Sequence, residues 1–316
     1  MGNSIPGSIV MKVYVIVATY NPKKWIDNCL GSLKQSSYSV RTIVVDNNST
    51  DGSGDYIKQK FSEVILIKNE TNLGFGKANN IGIKKAYESG ADYVFLLNQD
   101  AWIDPDAIKY LVHAHQKEPD FGIVSPMHLN GKGTALDYKF SNYINPKNCK
   151  NLYSDIFLNA IQKKIYKTEF VNAAAWLISR KCLEIVGGFN PSFFHYCEDD
   201  NYIHRIKFHQ FKVGISPNSI VYHDRENNSE NSYFVDQKKL YIRNIILKVS
   251  NPNNQYSFEK EYRKCYMFLC KSLMLFRFKA IKENLWKLKA LNQLNKKLIV
   301  KNKSESYKVQ PSFLNL

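Results

Sequence analysis

Short runs of β-branched and aromatic residues recur along the first third of the chain, and most stop on a polar or acidic cluster. Residues 12–19 (KVYVIVAT) lead into Tyr20-Asn21, and 41–47 (RTIVVDN) end on Asp46 and Asn47. Residues 64–69 (VILIKN) follow, 93–97 (YVFLL) lead into Asn98-Gln99-Asp100, and 121–125 (FGIVS) form a fifth run. Continuous apolar runs of this length suit strands buried on both faces of a parallel sheet. Helical patterns separate them. Asn21-Pro22 predicts a helix start, a capping residue followed by proline at the first helical position, with Trp25, Cys29 and Leu33 on one face. Residues 74–89 place the small Ala78 and Gly82 on one side. Asp104-Pro105 opens a helix whose apolar face is Ile108, Leu111 and Val112. This βαβα order predicts an α/β fold with a doubly wound, mainly parallel sheet. Ligands of such sheets bind beyond the carboxyl ends of the strands. Three polar clusters fall there: Thr19-Tyr20-Asn21, Asp46-Asn47-Asn48 and Asn98-Gln99-Asp100.

The later pattern is less regular. Residues 127–168 are polar and predict an excursion loop over the site. Residues 170–179 (FVNAAAWLIS) predict a strand, 187–191 a turn, 198–208 a helix, and 212–215 and 220–223 two short strands. Residues 259–295 are helical and basic, with an apolar stripe of Tyr262, Tyr266, Leu269, Leu273 and Phe276 beside Lys264, Lys271, Arg277 and Lys279. That pattern suits either a helix lying on an anionic membrane surface or one packed on the protein with a solvated basic face.

Charge sharpens this contrast. The net charge is +16, and residues 251–316 hold 14 Lys and Arg against 4 Asp and Glu. A basic tail of this kind can meet nucleic acid, anionic lipid or an acidic glycan. No recognised nucleic-acid module with interleaved basic and aromatic residues accompanies it, so no nucleic-acid partner is expected. The six cysteines are scattered without a C-x-x-C pair, which argues against a disulfide framework or zinc site and for a reduced, cytoplasmic chain. No run of about 18 apolar residues predicts a transmembrane helix, and residues 1–10 do not resemble a secretory signal. The 20 Tyr and 18 Phe suit a core, or the stacking faces of a sugar site.

Several residues carry chemistry at strand ends. Asp46 could accept the N3–H of a pyrimidine base, or form an Asx turn or helix cap. Asp100 could hold Mg²⁺ or Mn²⁺ across a diphosphate, because hard cations prefer carboxylate oxygens, or it could simply serve a turn. His195-Tyr196-Cys197-Glu198-Asp199-Asp200 brings three carboxylates to a helix start, where the helix dipole stabilises them or where one serves as general base. Arg205 shares nearly the same helix face as Glu198 and could pair with it. His223 closes a strand in Val221-Tyr222-His223-Asp224 and is a candidate metal ligand.

These motifs together resemble family 2 glycosyltransferases of the GT-A fold, in particular the rhamnosyltransferase-like branch of bacterial surface-polysaccharide synthesis. The resemblance spans about residues 12–225. It rests on Thr19-Tyr20-Asn21, VVDNNSTDGS (44–53), NLGFGKANNIG (72–82), FLLNQD (95–100), NAAAWLISR (172–180), GGFNPSFFHYCEDDNYIHR (187–205) and the VYHD histidine. It implies a catalytic domain over 10–225, with a nucleotide-binding half to about 126 and an acceptor half from 127, followed by a basic helical region over 226–316.

The resemblance also implies roles. Ala18, Thr19, Tyr20 and Asp46 would line the base pocket, and Asn72, Gly74, Lys77 and Asn79 would lie along the nucleoside. Asn98, Gln99, Asp100 and Trp176 would complete the nucleotide-sugar site. Asn98 and Asp100 stand at the two ends of the family's DxD motif, the catalytic base falls on Asp199 beside Glu198, and His223 completes metal binding. Two departures stand out: Asn98 replaces the first aspartate of DxD, so Asp100 and His223 would carry the metal more alone, and Asp200 offers an alternative base. The implied reaction is an inverting displacement, with dTDP-L-rhamnose or a UDP-sugar as donor. The acceptor would be a glycan or a polyprenyl-diphosphate-linked oligosaccharide of O-antigen or capsule synthesis, met at the inner face of the membrane. Two rivals remain. A sugar-nucleotide pyrophosphorylase would need a Gly-rich phosphate loop after the first strand, where Thr19-Tyr20-Asn21-Pro22 has no glycine. A non-catalytic polyanion-binding protein would explain the charge but not the carboxylates.

Overall fold

The computed structural model describes residues 10–225 and 236–316. The expectation about residues 1–9 and the start of the C-terminal region at 226–235 lie outside the described residues. The elements run β1 (Val13–Thr19), α1 (Ile26–Lys34), β2 (Val40–Asp46), α2 (Ser53–Lys60), β3 (Ile65–Lys68), α3 (Phe75–Glu88), β4 (Tyr93–Leu97), β5 (Ala101–Ile103), α4 (Ala107–Lys117) and β6 (Phe121–Asn130). There follow α5 (Tyr138–Tyr143), α6 (Leu152–Phe157), β7 (Tyr166–Lys167), β8 (Ala175–Ser179), α7 (Arg180–Val186), α8 (Glu198–Phe208) and β9 (Lys212–His223). Helices α9 (Gln237–Ser250), α10 (Phe258–Met274), α11 (Phe278–Gln293) and α12 (Lys296–Glu305) complete the described chain.

One sheet of nine strands organises the molecule in the order β3-β2-β1-β4-β8-β6-β9-β5, with β7 added on β9. Strands β3, β2, β1 and β4 are parallel, as are β6 and β9, while β8 runs antiparallel between β4 and β6. Buried strands need apolar residues on both faces, and β1 shows why its run is unbroken. Val13, Val15 and Val17 pack into one core, while Tyr14 and Ile16 pack into the other. Helix α3 lies close on the second face. A Cβ on Gly82 would stand 2.4 Å from Ile16 Cγ2, so only glycine lets the helix approach this far.

The structure corrects several sequence expectations. Helix α1 starts at Ile26, not at Pro22. Asn21 is instead left-handed at φ 49°, its N–H donates to Ser49 Oγ, and its Oδ1 accepts from Thr50 N, so it links two strand-end loops. Residues 127–168 are not a plain loop: β6 continues to Asn130, and α5, α6 and β7 fill the rest. The expected strand at 170–179 is ordered only over Ala175–Ser179. The two expected short strands are one long strand, β9, with a register shift opposite Pro126/Met127. The single basic helix at 259–295 is a hairpin of α10 and α11.

The C-terminal helices do not stand apart from the sheet and its cores. Phe193, from the loop before α8, is buried among Ile245, Val249, Phe258 and Leu291 of α9–α11, a burial worth about 1.5–3 kcal/mol. Leu314 returns to the main core, Gly188 N donates to Ser312 O, and Asn80 Nδ2 to Phe313 O. No described helix is long and apolar enough to cross a membrane.

Candidate active site

The parallel strands deliver their polar residues to one edge. At the end of β2, Asp46 Oδ1 accepts from Ser49 N at 3.0 Å and from Ser49 Oγ at 2.5 Å, so the carboxylate caps the loop that follows the strand. Its neighbour Asn47 is buried and holds the next loop. Asn47 Oδ1 accepts from Asn69 Nδ2 at 2.9 Å and from Leu73 N at 3.3 Å, and its Nδ2 donates to Gly74 O at 3.3 Å. Asn72 Oδ1 accepts from Gly74 N, and Gly74 is left-handed at φ 82°. A Cβ there would meet Phe194 O at 2.0 Å, so glycine lets the 72–74 turn touch the loop that precedes α8. Gln99 clamps β1 to β4, accepting from Tyr20 N at 2.7 Å and donating to Tyr20 O at 3.2 Å.

Asn72, Lys77 and Tyr20 are exposed at this edge, with Ala18 half-buried behind them. Thr19 Oγ1 and Asn98 Oδ1 are buried without a partner among the described residues. Two expected pocket residues prove otherwise. Asn79 is buried and donates to Phe75 O within α3, so it supports the turn from below. Trp176 is fully buried on β8 opposite Leu96, stacked against Phe189 and Tyr202, because the strand alternation turns its ring into the core shared with α3.

Asp100 and His223 are brought together by a strand that the sequence pattern did not announce. β5 pairs antiparallel with β9, Ala101 opposite His223, and Asp224 N donates to Asp100 O at 2.9 Å. The Asp100 Oδ1 to His223 Nε2 distance is 3.2 Å. Burial pushes the Asp100 carboxyl up, but the His223 ring, its hydrogen bond and the Arg225 charge outweigh burial and hold it below its usual value. Behind the imidazole, Arg225 Nε lies 3.1 Å from His223 Nδ1 and 3.2 Å from the Asp137 carboxylate, which also caps α5. Trp25 Nε1 donates to Asp224, tying α1 to the same corner.

The carboxylate cluster sits at the start of α8. Tyr196 and Cys197 precede it at φ 68° and 69°, two successive bulky residues in the left-handed region, a strain that concentrates at functional sites. Burial, and after it the Asp199 charge, raise Glu198 and Asp200, and burial raises Asp199. Asp199 accepts from Asp200 N and from Ala173 N, and the Arg225 charge partly offsets its rise. Glu198 is buried against the first turn of α3, with Oε2 lacking a partner. It does not pair with Arg205, which is fully buried and donates to the Val186 and Gly188 carbonyls. Arg225 and Asp137 are the site residues that sequence reasoning missed. Arg225 acts on both Asp100 and Asp199, so one cation spans the two parts of the site. Its signal was available: an arginine two residues after the strand-end histidine.

A hard divalent cation fits this donor set. One carboxylate and one imidazole stand 3.2 Å apart, which leaves the other positions to phosphate oxygens and water, as Mg²⁺ is commonly bound. Among the described residues no group of three or more His, Cys, Asp or Glu side chains is placed to hold a metal.

Comparison with known proteins decides the family. The model described as "Glycosyl transferase family 2" matches residues 14–186, over half of the chain. The chain belongs to glycosyl transferase family 2. It is 33% identical over 115 residues to a UDP-N-acetylglucosamine–dolichyl-phosphate N-acetylglucosaminyltransferase of Methanococcus voltae, a match that covers 32% of this chain and 45% of that relative. It is 25% identical over 253 residues to the dTDP-rhamnosyl transferase RfbF of Shigella flexneri, covering 77% and 76% of the two chains. Its fold matches a mannosyltransferase of Pyrobaculum calidifontis, solved in complex with GDP-Man and Mn²⁺, at a TM-score of 0.55 and 16% identity over 93% of this chain and 73% of that one. The mixed sheet of this family 2 chain is thus the GT-A arrangement expected from its motifs.

Proposed function

We propose that this family 2 chain transfers a single sugar, with inversion, from a pyrimidine nucleotide-sugar to a glycan or polyprenyl-diphosphate-linked acceptor of a cell-surface polysaccharide. The observation that carries this reading is the convergence on one sheet edge of the Asp46 corner, the Asp100–His223 pair and the α8 carboxylates, with Arg225 between the last two. The donor is dTDP-L-rhamnose or a UDP-sugar, in line with what the names of the Shigella and Methanococcus relatives say of those proteins.

Each residue has a task. Thr19, Tyr20 and Asp46 face the base, and the 72–74 turn held by Asn47 faces the ribose. Asp100 and His223 hold Mg²⁺ or Mn²⁺, which when bound supplies positive charge to the leaving diphosphate. To ligate through Nε2, His223 would carry its proton on Nδ1 and give up the hydrogen bond that Nδ1 accepts from Arg225 Nε, turning instead to the Asp137 carboxylate 3.8 Å away. Arg225 adds a fixed cation beside the same phosphates. Asp199 accepts the proton of the attacking hydroxyl. Its raised pKa suits this role, since a general base works best near the working pH. Asp200 sits one residue further and is the alternative base, its carboxyl raised by burial and by the Asp199 charge. The acceptor lies at the inner face of the membrane, and the chain works there as a peripheral protein.

Calorimetric titration with UDP, dTDP and GDP, each with and without Mn²⁺, tests this on wild type and Asp100→Ala. Metal-dependent binding of one pyrimidine diphosphate that the substitution weakens is the expected result. A folded protein that binds none of the three overturns the reading and favours a scaffold or polyanion-binding role.

A further inference from the structure

Helices α10 and α11 form an antiparallel hairpin whose turn is unusually apolar. Met274, Phe276 and Phe278 are 73%, 77% and 71% exposed, with Leu273 and Leu275 beside them. Phe276 is left-handed at φ 50°, a backbone state that bulky residues rarely adopt, and it directs a large ring to solvent at the tip. Burying such a tip in the fold would have been the ordinary outcome. Instead the inner seam of α10, Phe258, Glu261, Cys265 and Ser272, packs inward, and the terminal turn projects beyond it.

Immediately behind the tip, α9, α10 and α11 enclose a cavity of about 450 Å³. Lys264, Phe268, Lys271 and Leu275, spaced so that they share one face of α10, line it together with Arg277. Five cations and two carboxylates line the cavity in all. The carboxylates are already engaged: Glu261 accepts from Tyr241 and Tyr256, and Glu283 pairs with Lys287. Lys264, Lys271 and Arg277 make no ion pair among the described residues. A cluster of uncompensated cations with apolar walls, opening beside an apolar tip, matches the two ends of one kind of partner: a phosphate headgroup above hydrocarbon.

We propose that the α10–α11 turn is a bilayer-docking tip, inserted end-on among anionic phospholipids, and that the cavity behind it receives their phosphate headgroups through Lys264, Lys271 and Arg277. The inference rests on the membrane-surface part of the functional reading and changes its geometry. A helix lying flat would use the whole stripe through Tyr262, Tyr266 and Leu269. Here Tyr262 and Leu269 are half-buried against the C-terminal core and Tyr262 donates to Asn292, so the stripe is interrupted and the most exposed apolar residues, Met274, Phe276 and Phe278, gather at the terminal turn. Charge and apolar area act together, as interfacial binding requires.

Vesicle sedimentation of the full chain tests this, using phosphatidylcholine alone and phosphatidylcholine with one part in three phosphatidylglycerol. Wild type should sediment with the anionic vesicles only. The triple variant Lys264→Gln/Lys271→Gln/Arg277→Gln should lose about 100-fold in partitioning. Phe276→Asn/Phe278→Ser, which keeps a residue tolerant of left-handed backbone at 276, should lose at least about tenfold. Tyr266→Ser, on the mid-helix stripe, should change it less than twofold. Nucleoside diphosphate binding, measured on each variant, should remain at the wild-type value, which shows that the fold and the transferase site are intact. Equal binding to both vesicle types, no vesicle binding by a wild type that binds nucleotide, or a tip variant that partitions like wild type would each overturn the proposal without touching the transferase reading.

Discussion

The two halves of the catalytic domain use their sequence differently. In the β1–β4 half most site residues lie at a strand end or in the short loop that follows, so the strand ends set their places. Asp46 closes β2, Gln99 lies two residues after β4, and Asn47 holds Asn69, Leu73 and Gly74 with three side-chain hydrogen bonds. In the half from β6 to β9, the chemistry depends on contacts between distant segments. Asp100, between β4 and β5, meets His223 of that half only through the β5–β9 register, and the α8 carboxylates owe their raised pKa values chiefly to burial. Strand-end loops thus place the proposed donor-binding residues, and contacts across the chain assemble the proposed reacting ones.

That separation can be broken by substitution. The largest effect belongs to Asp199→Asn, which should lower transfer by about 10²–10⁴-fold, as removal of a general base does, in a steady-state transfer assay. The acid limb of the wild-type rate against pH should lie above the ordinary aspartate value of about 3.9, because Asp199 is raised and must be ionised to act. An acid limb at the ordinary value would remove Asp199 and favour a less buried group. Next comes His223→Ala, which should weaken Mn²⁺-dependent nucleotide binding at least about tenfold while leaving metal-free binding unchanged. An equal loss in both conditions would make His223 a packing residue.

Smaller effects sharpen the contrast. Asn47→Ala leaves Gly74 O and Leu73 N without their partner and should cost about 1–3 kcal/mol in urea unfolding, together with weaker nucleotide binding. A full-strength site in this variant would show that the turn holds itself. Glu198→Gln works in the opposite direction on stability. Because folding raises the Glu198 pKa, the folded state holds a proton that the unfolded state has lost, and stability declines as pH rises from the unfolded value towards the folded one. Replacing it with a neutral amide should therefore stabilise the protein by about 1 kcal/mol at neutral pH, with the gain shrinking as pH falls towards about 4.3 and absent below it. A stability gain that does not vary with pH would contradict that origin.

Much of the first half was legible because buried parallel strands write unbroken apolar runs, and their ends are then fixed by the first polar residue. The carboxylate cluster and His223 stood out in the same way. What escaped were features set by partners far along the chain. β5 is three residues long and has no pattern of its own, yet it creates the Asp100–His223 contact. Trp176 lies in a motif that read as site, but strand parity turns it into the core, and Asn79 is likewise spent on its own helix. Asn21 carried a helix-cap signature and serves a loop-to-loop contact instead, because Ser49 and Thr50 compete for its polar groups. Arg225 and Asp137 are separated by 88 positions and acquire meaning only when β9 and α5 meet.

We propose that donor binding and proton removal belong to separate parts of the site. Titrating Asp199→Asn with the nucleoside diphosphate that wild type prefers, in the presence of Mn²⁺, tests it most directly. An affinity within about twofold of wild type, in a variant that has lost transfer, is the predicted result. A loss of nucleotide affinity comparable to that of Asp100→Ala would contradict it and make the α8 carboxylates part of the donor site.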